Sequence, residues 1–109
     1  MTRNVIFLDK ENQINKVIRD QRRTGYKIRL LFVSIWDNCS TTLVDSLENY
    51  EGHVPIYVAN SFTMPHAFVI HNVTKAPALV TLLRDRYIKE DYIANIYNEL
   101  GCEPVTFSI

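Results

Sequence analysis

The chain has 109 residues, of which 47% are hydrophobic, so it can bury one compact core and is too short for two domains. Its formal net charge is zero, which argues against a protein dedicated to nucleic acid or to an anionic membrane surface, because such proteins carry a basic excess. The sequence shows neither a cleavable signal nor a long apolar span, and we therefore expect a cytoplasmic protein that binds no membrane.

Cofactor and metal sites find little support in the sequence. The two cysteines, Cys39 and Cys102, are far apart, and their spacing matches no disulfide or metal motif, so we expect reduced thiols. His66 and His71 are five residues apart and do not share a helical face well. Because the chain has only three glycines, we also expect no phosphate-cradling loop.

The first half of the chain predicts strands that alternate with helices. The short apolar run Val5 to Leu8 precedes a helical pattern, for which Asp9 is a plausible cap and Gly25 the stop. A continuous β-favouring segment from Ile28 to Trp36 is typical of a strand that is buried on both faces of a sheet. A second helical stripe follows, and Gly52 stands where a helix stop belongs.

The second half continues the alternation. Pro55 to Ala59 predicts a strand, and the next helix has Ser61 or Thr63 as its cap and Pro65 in its first turn. The stretch "APALVTLL" predicts a further strand, and a turn at 84–86 leads to a short strand stub at 87–88. An amphipathic helical stripe over 92–100 is closed by a glycine.

The order β-α-β-α-β-α-β-β-α predicts an α/β fold, with a central mixed β-sheet flanked by helices. The last two strands are joined by too few residues for a crossover, so they should run antiparallel. We assign residues 1–101 to one domain and residues 102–109, "CEPVTFSI", to a C-terminal tail. The tail alternates apolar with polar residues, which fits an edge strand or a dimer contact as well as a frayed terminus, so we expect a monomer or a weak homodimer.

Three stretches resemble the thioredoxin family. In "LLFVSIW", Phe32 and Trp36 have the spacing that precedes the family's W-C-G-P-C motif, and "VTKAPALV" resembles the family's loop with a cis proline, which would be Pro77. "NSFTMP" lies where the family opens its third helix. Together with the element order, the resemblance covers roughly residues 4 to 100 and implies a thioredoxin-like fold.

The sequence departs from the family at the redox pair. If the sequence is aligned to the family motif without a gap after Trp36, then Asp37 and Ser40 take the places of the two cysteines. If the loop is instead two residues longer, Cys39 becomes the first cysteine of a C-x-x-T motif. Leu31 replaces the buried aspartate that assists the family's exchange chemistry. In either register the second thiol is missing, so the chain cannot resolve a mixed disulfide by itself.

Two functions follow from this resemblance. The first is a redox-silent module that binds a protein partner, since the superfamily includes redox-silent members that act as assembly factors. Its partner-binding residues would be Trp36, Asp37, Ser40, Thr74, Lys75, Ala76 and Pro77.

The second is a monothiol oxidoreductase that uses Cys39 as its nucleophile and glutathione as its co-reactant. A cysteine at the start of a helix lies near unpaired backbone donors, which favour the thiolate, although Asp37 next to it opposes ionisation. Thr42 or Ser40 would stabilise that thiolate, and Pro77 would position the substrate. The alternative to this redox role is that Cys39 is a small, partly buried residue that takes part in no reaction.

Overall fold

The structure is a computed structural model that describes residues 4–34, 36–83 and 86–101. The turn predicted at 84–86 lies partly outside the described residues, and the tail with Cys102 lies wholly outside them. The described elements are β1 (Val5–Phe7), α1 (Glu11–Thr24), β2 (Ile28–Val33), α2 (Asn38–Ser46), a short 3-10 turn (Leu47–Asn49), β3 (Ile56–Asn60), α3 (Pro65–Ile70), β4 (Ala78–Leu83), β5 (Arg86–Tyr92) and α4 (Ile93–Leu100).

The five strands form one mixed sheet in the order β1-β3-β2-β4-β5. The first three strands are parallel to one another, and β4 runs antiparallel to both β2 and β5. This arrangement confirms the predicted α/β fold, including the antiparallel last pair.

The central strand β2 carries the core on both of its faces. Leu30 and Phe32 belong to a cluster that contains residues of α1 and α3, whereas Leu31 and Val33 belong to a second cluster with residues of α2 and α4. All four side chains are buried, which confirms the prediction from the continuous apolar run. Helices therefore cover both faces of the sheet, two on each side.

β2 and β5 are the strands whose lengths differ most from the prediction. β2 ends at Val33 rather than Trp36, because the register brings its last residues opposite Asn60 of β3 and Ala78 of β4, where those strands also stop or begin. β5 is a full strand of seven residues rather than a stub. It includes Tyr92, which the sequence pattern predicts to belong to the last helix. Lys89, Glu90 and Asp91 are charged, so the strand shows no apolar run in the sequence.

Helix capping also differs from the prediction. Asp9 does not cap α1; instead, the Oε1 atom of Gln13 accepts hydrogen bonds from the backbone N–H groups of Asp9 (2.8 Å) and Lys10 (2.9 Å). Neither Ser61 nor Thr63 caps α3, whose flanking residue is Met64. A carboxylate from another helix replaces them: Glu11 Oε1 accepts from the N–H groups of His66 (2.6 Å) and Ala67 (3.2 Å).

Two of the predicted glycine stops have different outcomes. Gly25 ends α1 in the left-handed conformation, with φ of 74°, as predicted. The 3-10 turn after α2 ends at Asn49, with Tyr50 as its C-cap, so Gly52 does not end a helix. Instead, a Cβ atom at position 52 would lie 2.3 Å from the Tyr50 hydroxyl oxygen. The same hydroxyl donates a hydrogen bond of 2.6 Å to the carbonyl of Val54.

A cluster of four charged side chains joins α4 to the sheet. Lys89 donates to the carboxylate of Glu99, and Arg29 lies 3.8 Å from the same carboxylate. Asp91, which is buried, lies 3.9 Å from Lys89. The Lys89 hydrogen bond lowers the pKa of Glu99 and raises that of Lys89, since both charged forms are stabilised by it.

Candidate functional site

Three segments meet at the end of the sheet where β2 finishes. The register pairs Phe32 of β2 with Ala78 at the start of β4, so the loop that precedes Ala78 lies alongside the chain that leaves β2. On the other side, the N–H of Ser61 donates to the carbonyl of Val33 at 2.9 Å. Ser34, Trp36 and Asp37 therefore lie at the same end of the sheet as residues 61–63 and 74–77.

Asp37 and Ser40 form a hydrogen-bonded pair at the start of α2. Asp37 is the N-cap residue, and its Oδ2 atom accepts from the backbone N–H of Ser40 at 3.2 Å and from the Ser40 hydroxyl at 3.1 Å. Ser40 is 1% exposed, so its side chain is directed into the protein and is not available for direct contact with a partner. The pair occupies the two positions that the ungapped alignment gives to the family's cysteines.

Cys39 is an exposed free thiol in the first turn of α2. The Ser40 hydroxyl, one of the two expected to stabilise its thiolate, donates to Asp37 instead, and the neighbouring Thr41 hydroxyl donates to the carbonyl of Asn38 at 3.0 Å. Thr42 is half-buried one turn later in the helix. The hydroxyls of the two residues after Cys39 therefore bond to groups at the start of the helix.

Trp36 and Phe62 form an exposed aromatic pair. Trp36 is 78% exposed and Phe62 is 66% exposed, and their ring centroids lie 6.4 Å apart in an edge-to-face arrangement. The N–H of Phe62 donates to the Asn60 side chain at 3.0 Å, which holds the turn after β3. Phe62 was not among the residues predicted for the site. Its position, as a large aromatic residue in the polar connection between a predicted strand and a helix that begins with proline, is the feature that could have indicated it.

The loop before β4 adds a polar rim to this end of the sheet. Thr74 and Lys75 are exposed, Ala76 is half-buried and Pro77 is buried, and the peptide bond between Ala76 and Pro77 is cis. Val73, at the start of the loop, is buried, and its N–H donates to the carbonyl of Phe68 at 2.8 Å. The loop is thus tied to α3 at one end and enters the sheet at the other.

His71 lies directly after α3 and is half-buried against Phe32, with a ring centroid separation of 5.8 Å. Burial lowers its pKa, because the charged imidazolium would lose hydration. Within residues 4–34, 36–83 and 86–101, His, Cys, Asp and Glu side chains form no group of three that could hold a metal ion. In the same residues, no helix is both long and apolar enough to cross a membrane.

Comparison with known proteins gives matches at the level of structure alone. No model of a known protein family matches the sequence, and no curated protein does. Among solved structures, thioredoxin NaTrxh from Nicotiana alata has a TM-score of 0.75 and 10% identity, with 93% of each chain covered. Thioredoxin from Schistosoma mansoni has a TM-score of 0.73 and 11% identity, over 89% of this chain and 93% of that one.

Thioredoxin O2 from Arabidopsis thaliana, in the oxidized state, has a TM-score of 0.69 and 16% identity, over 93% of this chain and 95% of that one. The chain has the thioredoxin fold. Within this fold, the structure brings together Trp36, Asp37 and the loop 74–77 at one end of the sheet, with Phe62 as an additional neighbour. It places Ser40 and Pro77 in the interior beneath that surface.

Proposed function

We propose that this protein is a thioredoxin-fold module that binds a protein partner and does not carry out dithiol exchange. The observation that carries this proposal is the exposed aromatic pair of Trp36 and Phe62. Large aromatic side chains are the residue type most enriched in the energetically dominant contacts of interfaces, and burying them removes more apolar surface from water than any other side chain.

The pair is held in place by the local structure. Trp36 comes one residue before the N-cap of α2, and Phe62 lies in the turn that is fixed to Asn60. Two rigid aromatic rings that already contact each other lose little conformational entropy when a partner covers them. Thr74 and Lys75 supply exposed polar groups at the same end of the sheet, which suits the rim of an interface.

The absence of dithiol exchange is supported by the chemistry of the helix terminus. Exchange needs one thiolate to attack and a second, adjacent thiol to resolve the mixed disulfide. In the ungapped register, a carboxylate and a hydroxyl that are hydrogen-bonded to each other take the two cysteine positions, and neither group can form a disulfide. In the register with the longer loop, Cys39 is paired with Thr42, whose hydroxyl cannot form one either. The sequence has just one other cysteine, Cys102, far from Cys39 along the chain.

Affinity capture from an extract of the source cells tests this function. We expect wild-type protein to retain a partner that Trp36→Ala and Lys75→Ala lose, and that Cys39→Ser retains. Tyr26→Ala is the matched control, because Tyr26 is also a large aromatic, 73% exposed, but precedes β2 rather than following it. Retention of every partner by Trp36→Ala would contradict the proposal.

A monothiol oxidoreductase is the second candidate function, and the exposure of Cys39 favours it. The thiolate of Cys39 would attack the glutathione sulfur of a mixed disulfide between glutathione and a substrate protein, so that the substrate thiolate leaves and a disulfide forms between Cys39 and glutathione. A second glutathione, as its thiolate, would attack that disulfide, which releases the Cys39 thiolate and forms glutathione disulfide. In protein with Cys102→Ser, rapid formation of the disulfide between Cys39 and glutathione, abolished by Cys39→Ser, would support the second candidate. A rate equal to that of the unfolded chain would exclude it.

A further inference from the structure

A groove between edge strand β1 and helix α2 has an apolar floor. It has a volume of about 360 Å³, and its apolar lining includes Phe7, Val33, Val44 and Val58. A smaller hollow of about 190 Å³ adjoins it, since Phe7, Val44 and Asp45 line both. We call the two together the α2 groove. Its lining includes neither Trp36 and Phe62 nor the loop 74–77. It adjoins the surface proposed above at Ser34, Ser40 and Thr63, which line the larger hollow.

The rim of the α2 groove is acidic. Asp9 and Asp45 line the larger hollow, Glu48 lines the smaller one, and all three side chains are exposed. Among the described residues that line the two hollows, none is Lys or Arg. An apolar floor with carboxylates along its border is complementary to an apolar side chain that has cationic neighbours.

The groove is continuous with an open edge of the sheet. β1 is an outer strand, and within the described residues it pairs only with β3. The bonds to β3 use the carbonyl of Asn4 and the N–H of Leu8. Because alternate residues of a strand direct their backbone groups to opposite edges, those of Val5 and Phe7 face the open side.

We propose that the α2 groove binds an extended peptide that carries an apolar residue flanked by Lys or Arg. The peptide backbone would add as a strand to β1 and use the backbone groups of Val5 and Phe7 that face the open side. One apolar side chain would enter the groove against Val44 and against Phe7, which is 60% exposed in its absence. Its basic neighbours would pair with the carboxylates of the rim.

Selection from a displayed library of random seven-residue peptides tests this inference on the full-length protein. We expect the enriched peptides to share an apolar centre with Lys or Arg on both sides. The most enriched peptide is then synthesised, and its binding is measured by fluorescence anisotropy. Exposed ion pairs are individually weak, so we expect Asp45→Lys combined with Glu48→Lys to lower the affinity about tenfold.

Asp20→Lys with Glu90→Lys is the matched control, because it changes the net charge equally at exposed residues of α1 and β5. It should leave the affinity unchanged, and so should Trp36→Ala. The inference is overturned if no peptide is enriched, if the enriched peptides lack basic residues, or if both charge-reversal variants weaken binding equally. Loss of binding in Trp36→Ala would show that the peptide binds at the aromatic surface instead, and this result would also overturn the inference.

Two other occupants of the α2 groove, a second copy of the chain and the chain's own C-terminal tail, would each give a distinct experimental result. A dimer in sedimentation that Val44→Lys dissociates would mean that a second copy of the chain fills the groove. Movement of the NMR resonances of residues 103–109 when the peptide is added would mean that the chain's own tail fills it. Either result would overturn the proposed peptide site.

Discussion

The carboxylate of Asp37 accepts hydrogen bonds from both the backbone N–H and the hydroxyl of Ser40, at 3.2 and 3.1 Å. One side chain thereby caps α2 and satisfies a hydroxyl that is buried beneath the helix terminus. The first residue of the pair that the ungapped alignment matches to the family's cysteines therefore stabilises the helix in this protein.

Asp37→Ala should therefore destabilise the protein. Loss of an N-cap side chain costs about 1 kcal/mol, and the buried Ser40 hydroxyl also loses its acceptor. We expect a lower free energy of unfolding in urea, with most of it restored in Asp37→Asn, which keeps an acceptor oxygen. Asp45→Ala, an exposed position in the same helix, is the control. Equal stability of Asp37→Ala and the wild type would contradict the capping role.

The same geometry predicts where a disulfide can form. In Asp37→Cys/Ser40→Cys, with Cys39 and Cys102 both replaced by serine, the two new side chains replace a pair that is already in contact, since Asp37 Oδ2 and Ser40 Oγ lie 3.1 Å apart. We expect this variant to close a disulfide in oxidising buffer, as read by loss of free thiols.

The matched control is Thr42→Cys with native Cys39 and Cys102→Ser, because those two residues have the same spacing but both lie inside α2. Side chains three apart within a helix have Cβ atoms about 5–6 Å apart, further than the roughly 3.5–4.5 Å of a disulfide. Closure in this control, without closure in the first variant, would support the alternative register in which Cys39 is the first cysteine.

His71 should make stability depend on pH. Its pKa is lowered by burial in the folded protein, so below about pH 6.5 the unfolded chain binds a proton that the folded chain does not. Stability should therefore fall as the pH drops through that value. We expect His71→Gln to flatten the free energy of unfolding between about pH 7 and pH 5. His66→Gln, at an exposed residue, should keep the slope; identical slopes in both variants would contradict the assignment.

Glu99 should act at lower pH. The hydrogen bond from Lys89 lowers the pKa of Glu99, so its stabilising effect is present above about pH 4.5 and is lost as the pH falls through the folded-state value. We expect Glu99→Gln to be less stable at neutral pH and to lose less stability on acidification. Thermal unfolding between about pH 7 and pH 3 measures both, with Glu51→Gln, which is exposed, as the control. Parallel curves for Glu99→Gln and the wild type would contradict this role.

The fold could be predicted because its signals are local and strong. β2 is a continuous apolar segment, because a central strand that is buried on both faces of a sheet needs apolar side chains at successive positions. β5 could not be predicted at full length because Lys89 and Asp91 take part in a charge cluster with α4, so the strand carries charges where a sheet usually carries apolar residues. The cap of α3 was missed because Glu11, which provides it, is distant in sequence from that helix.

The candidate site could be predicted only in part. Trp36 follows a buried strand and precedes a polar helix start in the sequence, and this placement indicates an exposed side chain. Its contact with Phe62 depends on the way β2 and β3 end side by side, which the sequence does not show. The role of Asp37 depends on which residue begins α2. A single sequence left two registers open, and the hydrogen bonds to Ser40 place Asp37 at the helix N-cap.

The central claim is that a protein partner covers the aromatic surface at Trp36. Its most direct measurement is photo-crosslinking in the source cells, with a photoreactive amino acid at position 36 and, as the control, at position 26. The six residues of β2 separate these two exposed positions by about 20 Å. We predict one discrete crosslinked protein from position 36 that is absent from position 26. No crosslink at 36, or the same crosslinks from both positions, would contradict the claim.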